Sequence, residues 1–195
     1  MARKDRRVKL IVGLGNPGQQ YRNTRHNVGY RVLDEVADRL GVRFDQEKYD
    51  GLFAAAEHEG TRLMLLKPLT YMNLSGTAVA KAARNRVPKP EHVIVVLDEI
   101  QLPLGTVRVR QEGSHGGHNG LRSVIEHLGS EGFPRLRIGV GEKKAGQDLS
   151  DHVLSTFAPE EKPDVELAIK TAADAVLCCV AEGVAAAMNR FNKAK

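Results

Sequence analysis

Five positions in this 195-residue chain combine residue types suited to moving a proton and holding an anion. His26 sits in "NTRHNVG", Asp98 closes "VIVVLD", and Asn16, Asn73 and Asn119 stand in "GNPG", "YMNLSG" and "GGHNG". An imidazole titrates near neutrality and can take a proton from water, and a neighbouring carboxylate orients the ring and stabilises the imidazolium that forms. Carboxamide N–H groups can hold the oxyanion of an acyl-transfer intermediate. The set points to general-base hydrolysis without a covalent intermediate. Ser75 and Ser114 lack the G-x-S-x-G turn that exposes a serine nucleophile. Cys178 and Cys179 are adjacent in an alanine-rich apolar stretch, which reads as two buried thiols rather than a disulfide or a nucleophile.

Each member also has a structural reading: His26 as a surface residue, Asp98 in a turn, Asn73 as a helix cap, Asn16 bonding its own turn. His115-x-x-His118 has the spacing of a metal pair, although two ligands make a weak signal. The stretch "GLGNPG" spells G-x-G-x-x-G after an apolar run. Pro17 pushes Asn16 away from helical geometry, and the helical pattern starts only near Thr24. The glycines therefore read as sharp-turn residues at a strand end and not as a dinucleotide cradle.

The elements that must position these residues follow from periodicity. "VKLIVGL", "TRLMLLKP" and "HVIVVLDE" are buried strands, "TVRVRQ" is a half-solvated strand, and "RLRIGVG" is another. Val28, Val32, Leu33, Val36, Ala37 and Leu40 form one helical stripe that stops at Gly41. "NLSGTAVAKAARNRV" and "NGLRSVIEHLG" read as helices, and residues 159–192 as mostly helical with a break at Gly183. Alternation of strands and helices makes an α/β protein with a largely parallel sheet. In open sheets of this kind sites form beyond the carboxyl ends of the strands, where Asn16, Tyr71, Met72, Asn73, Asp98 and Glu99 all fall, with His26 on the same edge.

The length suits a single domain spanning 1–195, with residues 1–8 expected to be a disordered basic tail. The net charge is +5, from 29 Lys and Arg against 24 Asp and Glu. Basic residues cluster near the N-terminus, at Lys81–Lys89, and at Arg108 and Arg110, which favours a nucleic-acid partner over a merely solvated face. No signal peptide or membrane-length apolar run is visible, so a soluble, cytoplasmic protein is expected. No long exposed apolar stripe demands a partner, so a monomer is expected.

"VGLGNPGQQYRNTRHNVG", "KPLTYMNLSG", "VLDE" followed by "LPLG", "GSHGGHNGL" and "RLRIGVG" together resemble the bacterial-type peptidyl-tRNA hydrolase family, most closely from Leu10 to Gly141. The resemblance implies one α/β domain with a mixed, mainly parallel sheet. It also implies hydrolysis of the ester joining a peptide to the 3′-terminal ribose of tRNA, with no metal or other cofactor. By motif position His26 is implied as proton acceptor, Asp98 as its partner, and Asn16 as the group distinguishing peptidyl from aminoacyl substrates. Tyr21, Tyr71, Met72, Asn73, His118 and Asn119 are implied around the ester and terminal nucleotide, with Asn73 as an oxyanion donor. Arg108, Arg110 and Arg137 are implied on tRNA phosphates, and residues 146–157 as a flap over the peptide. Gln101 and Glu112 depart from the family, where aspartate and a small residue are common. Two other readings stay open: a metal-dependent peptidase using His26, Asp98, His115 and His118, and an RNA-binding protein that has lost catalysis.

Overall fold

The computed structural model describes residues 8–192. In chain order the strands are β1 (Val8–Gly13), β2 (Gln46–Lys48), β3 (Gly51–His58), β4 (Thr61–Pro68), β5 (Val93–Glu99), β6 (Val107–Arg110) and β7 (Arg135–Gly139). The helices are α1 (Val28–Arg39), α2 (Ser75–Ala83), α3 (Asn119–Leu128), α4 (Leu149–Val153), α5 (Lys162–Ala181) and α6 (Val184–Phe191). The seven strands form one sheet in the order β2-β3-β4-β1-β5-β7-β6. β1 pairs in parallel with β4 and β5, and β5 with β7, while β3 and β6 run against their neighbours. The architecture is therefore the expected mixed, mostly parallel α/β sheet flanked by helices.

Alternating residues feed two cores, which is why the central strands read as unbroken apolar runs. Ile11, Ile94, Val96 and Leu136 face α1 and α5, whereas Leu10, Val12, Val95 and Leu97 face α2 and α3. The predicted stripe on α1 is buried from Val28 to Ala37, and α1 ends one residue before Leu40. The break at Gly183 separates α5 from α6. Cys178 and Cys179 are buried and unpaired.

Three features depart from the sequence reading. Val8, placed in the basic tail, is the first residue of β1 and pairs with Arg62, while residues 1–7 lie outside the described region. The strands β2 and β3 were not anticipated. "GLFAAAEH" carries glycine and alanines, poor strand formers, and extends because all eight residues pair antiparallel with β4. Finally, only Gly18 of the "GLGNPG" stretch has a positive φ, at 114°. Gly13 serves close packing instead: a Cβ there would lie 2.4 Å from the Gly29 carbonyl oxygen. A Cβ on Gly29 would meet the Val96 and Leu14 oxygens at 2.5 and 2.6 Å. The start of α1 thus lies directly on β1 and β5, as no side chain would permit.

Candidate active site

After β1 the chain fills one side of the sheet with β4, β3 and β2, then crosses to β5, β7 and β6 on the other. The crevice at that change of direction, beyond the carboxyl ends of β1 and β5, is where ligand sites form in such sheets. Here it is a cleft of about 420 Å³ lined by Asn16, His26, Asp98, Glu99, His118 and Asn119 together with Ile100, Leu149, Val153 and Leu154. One wall is polar and titratable; the opposite wall, largely from α4, is apolar. A larger groove of about 750 Å³ shares Asn16 but holds neither imidazole.

His26 lies in a 3-10 turn, Arg25–Asn27, that leads into α1. Its Nδ1 is 2.9 Å from both Asp98 carboxylate oxygens. Asp98 is only 2% exposed, and its Oδ1 also lies 2.8 Å from His118 Nε2. Burial works against the ionised carboxylate, but the two imidazoles more than offset it and hold its pKa well below the usual range. Burial likewise opposes a charged His26, but the Asp98 charge and hydrogen bond prevail and raise its pKa above 6.5. The ionised Asp98 can only accept, so His26 carries its proton on Nδ1 and turns Nε2 to the cleft. His118 is the N-cap of α3, and its Nδ1 accepts the Leu121 N–H at 3.2 Å. Its proton therefore sits on Nε2, and both ring nitrogens are engaged within the protein.

Asn16 is held from three directions. Its N–H donates to Asn27 Oδ1 and its carbonyl accepts from Asn27 Nδ2, both at 2.9 Å. Its side-chain Oδ1 accepts the Met72 N–H at 2.8 Å. Because that N–H requires an oxygen opposite it, the amide orientation is fixed and Nδ2 is left as the donor to the cleft.

Asn119, the first residue of α3, is exposed at the cleft. Met72 is buried behind Asn16, while Tyr71 and Asn73 are exposed beside it and outside the residues lining the cleft. Tyr21 ends a 3-10 turn, half-buried, and also lies outside that lining. Arg108 stands opposite Arg137 and Arg110 opposite Arg135 across β6 and β7, so these four side chains share one sheet face. Arg137 is already bonded to Glu99 through Nε, at 2.7 Å, and Nη2. Burial pushes the Cys179 thiol up to about 12, which suits a core residue and not a nucleophile.

His26, Asp98 and His118 also form the group of potential metal donors among the described residues, their donor atoms all within 4.8 Å of one another. His115 is not in that group; its Nδ1 accepts the Gly117 N–H. A metal among the three would replace the hydrogen bonds that now join both imidazoles to Asp98.

Three residues with evident roles at the site, Asn27, Arg25 and Arg135, escaped sequence reasoning. Asn27 ties the loop after β1 to α1. Arg25 donates its N–H to the Ser155 carbonyl at 2.9 Å and its guanidinium to Val140 O at 2.8 Å and to both Glu161 oxygens. It thereby fixes the segment after α4 beside the 3-10 turn that carries His26. Glu99 holds Arg137, and buried Arg135 donates to the carbonyls of Gly113, Ser114, Glu131 and Phe133, anchoring the glycine-rich loop before α3. Arg25 and Asn27 flank His26 in sequence, the one signal that could have exposed them.

The sequence profile of the family described as "Peptidyl-tRNA hydrolase" matches residues 10–195. This chain belongs to the peptidyl-tRNA hydrolase family. It is 51% identical to the peptidyl-tRNA hydrolase of Synechococcus sp. (strain JA-3-3Ab), covering 95% of this chain and 83% of that protein. Against that of Geobacillus kaustophilus the identity is 48%, covering 95% and 100%. The crystal structure of the Acinetobacter baumannii peptidyl-tRNA hydrolase superposes with a TM-score of 0.90 at 38% identity over 96% of each chain. As a peptidyl-tRNA hydrolase family member the protein is a hydrolase of translation. Among the described residues no helix is long and apolar enough to cross a membrane.

Proposed function

We propose that the protein cleaves the ester between a peptide and the 3′-terminal ribose of tRNA, with His26 as general base. The observation that carries this reading is the hydrogen bond of His26 Nδ1 to a buried, ionised Asp98, which leaves Nε2 as a proton acceptor facing the cleft. Nε2 takes a proton from water as the water oxygen bonds to the ester carbonyl carbon. Asp98 stays ionised throughout and steadies the imidazolium. The carbonyl oxygen becomes an oxyanion, for which Asn16 Nδ2 and Asn119 are the carboxamide donors closest to hand; Asn73, on the exposed turn, contacts substrate further out. Collapse breaks the carbon–ribose oxygen bond, and the departing oxygen takes the proton from His26. A ribose hydroxyl leaves far more readily than an amine, so no stronger acid is needed.

Asn16 also accounts for discrimination. A peptidyl group offers the carbonyl of its last peptide bond to Nδ2, whereas an aminoacyl group presents an ammonium, itself only a donor. Tyr21, Tyr71, Met72 and His118 complete the surroundings of the ester and terminal nucleotide, α4 and its flanks cover the peptide, and Arg108, Arg110 and Arg137 meet phosphates. No metal takes part, the enzyme works as a cytoplasmic monomer, and peptidyl-tRNA is its partner.

The test is cleavage of purified peptidyl-tRNA beside aminoacyl-tRNA, with and without chelator, by the wild type and His26→Ala. Cleavage of peptidyl-tRNA alone, insensitive to chelator and abolished in a variant that still folds and binds tRNA, is expected. Loss of activity on chelation would replace this reading with metal-assisted hydrolysis by His26, Asp98 and His118. Near-normal turnover by His26→Ala would remove the base.

A further inference from the structure

Glu99 follows Asp98 in β5, so strand alternation turns it to the opposite face, the one that bears Leu97, Arg137 on the neighbouring strand β7 and, one strand further, Arg108 on β6. Its side chain is only 10% exposed, yet it borders the catalytic cleft. Oε2 accepts from Arg137 Nε and Nη2, and Oε1 accepts the Gln101 N–H at 3.0 Å. A guanidinium presents five N–H groups in a rigid fork. With the Nε edge on Glu99, the Nη1 edge of Arg137 is the part left for a ligand, and its direction is set before any ligand arrives. The ligand need not pay to order that side chain. Glu99 also places a negative charge where the basic β6–β7 face meets the cleft, which penalises any polyanion that does not engage the aimed fork.

We propose that Glu99 is a positioning residue that sets RNA selectivity: it aims Arg137 at one phosphate near the tRNA acceptor end and disfavours RNA held only by diffuse charge. This rests on the reading that Arg137 meets substrate phosphate.

The experiment compares wild type, Glu99→Gln, Glu99→Asp and Arg137→Ala in binding deacylated tRNA and a uridine homopolymer across salt concentrations. KM and kcat for peptidyl-tRNA are measured alongside. Glu99→Gln is expected to bind the homopolymer about tenfold tighter at low salt, with a salt slope steeper by about 0.7. Its affinity for tRNA rises far less, so the ratio of the two falls. Glu99→Asp keeps the charge but shortens the reach; the KM for peptidyl-tRNA is expected to rise with homopolymer binding unchanged. Equal gains for both RNAs in Glu99→Gln would reduce Glu99 to charge neutralisation and overturn the proposal, as would wild-type behaviour of both Glu99 variants. Arg137→Ala tests the underlying reading separately. If its tRNA affinity and salt slope match the wild type, Arg137 meets no phosphate and that reading fails, whatever the Glu99 variants do.

Discussion

His26 and Asp98 set each other's charge, and in the proposed mechanism this has a measurable consequence. The base must be neutral to accept a proton, so activity is lost as pH falls through the pKa of His26. Asp98 raises that pKa above 6.5 against the opposing effect of burial, so the acid limb of kcat should bend above 6.5. Asp98→Asn removes the attraction and leaves the burial, so the bend should move below 6.5. The plateau should drop by up to about 10⁴-fold, because an amide no longer dictates which nitrogen carries the proton. A pH–rate profile of both proteins checks this; an acid limb in Asp98→Asn that stays in place would assign it to another group. Asn16→Asp is equally sharp. The new carboxylate can still accept the Met72 N–H, so the fold should hold, but the donor toward the cleft is gone. Cleavage of peptidyl-tRNA should fall by about a hundredfold or more while the preference over aminoacyl-tRNA narrows. Kinetics on the two substrates measure it, and a preserved preference would place discrimination elsewhere.

The elements act by bringing residues 72 positions apart into contact, and the contact between α1 and the sheet does most of this. Gly29→Ala would drive a methyl into the Val96 and Leu14 carbonyl oxygens, so α1 must lift from β1 and β5. A loss of about 1–3 kcal/mol in stability is expected, with a larger fractional loss in kcat as His26 leaves Asp98. Thermal unfolding beside kinetics tests this: full activity at reduced stability would mean the glycine serves packing alone. The periodic elements were legible in sequence: α1 through its valine and leucine stripe, β1 and β5 through apolar runs buried on both faces. So were His26, Asp98 and Asn16, because they sit at the ends of those elements. The strand β3 was hidden, since glycine and alanines take strand form there only through pairing with β4. Asn27, Arg25 and Arg135 were hidden for a related reason. Each of them bonds backbone groups elsewhere in the chain, and no residue type marks a backbone group.

Across the whole molecule, charge separates from chemistry. The titratable pair faces the cleft from the end of the sheet, while Arg108, Arg110, Arg135 and Arg137 share a face beside it, with Arg135 withdrawn into the interior. Burial and the proximity of Arg137 lower the Arg135 pKa to about 10, while Glu131 and Glu112 act the other way, and its bonds run to loop carbonyls. Arg135 is thus a support for the loop that carries His118, and the exposed Arg110 is free to act in binding. Glu112 is exposed on the chain just beyond Arg110 and adds negative charge there. These placements make different demands on the same measurement. Arg110→Ala should weaken tRNA binding, make the slope of log K against log salt shallower by about 0.9, and leave kcat at saturating substrate unchanged. Glu112→Gln should strengthen binding at low salt and steepen the slope, again without touching kcat. Should Arg110→Ala keep the wild-type slope, the phosphates would have to lie on another face, and the side-by-side arrangement of basic surface and cleft would not be what guides the acceptor end to His26.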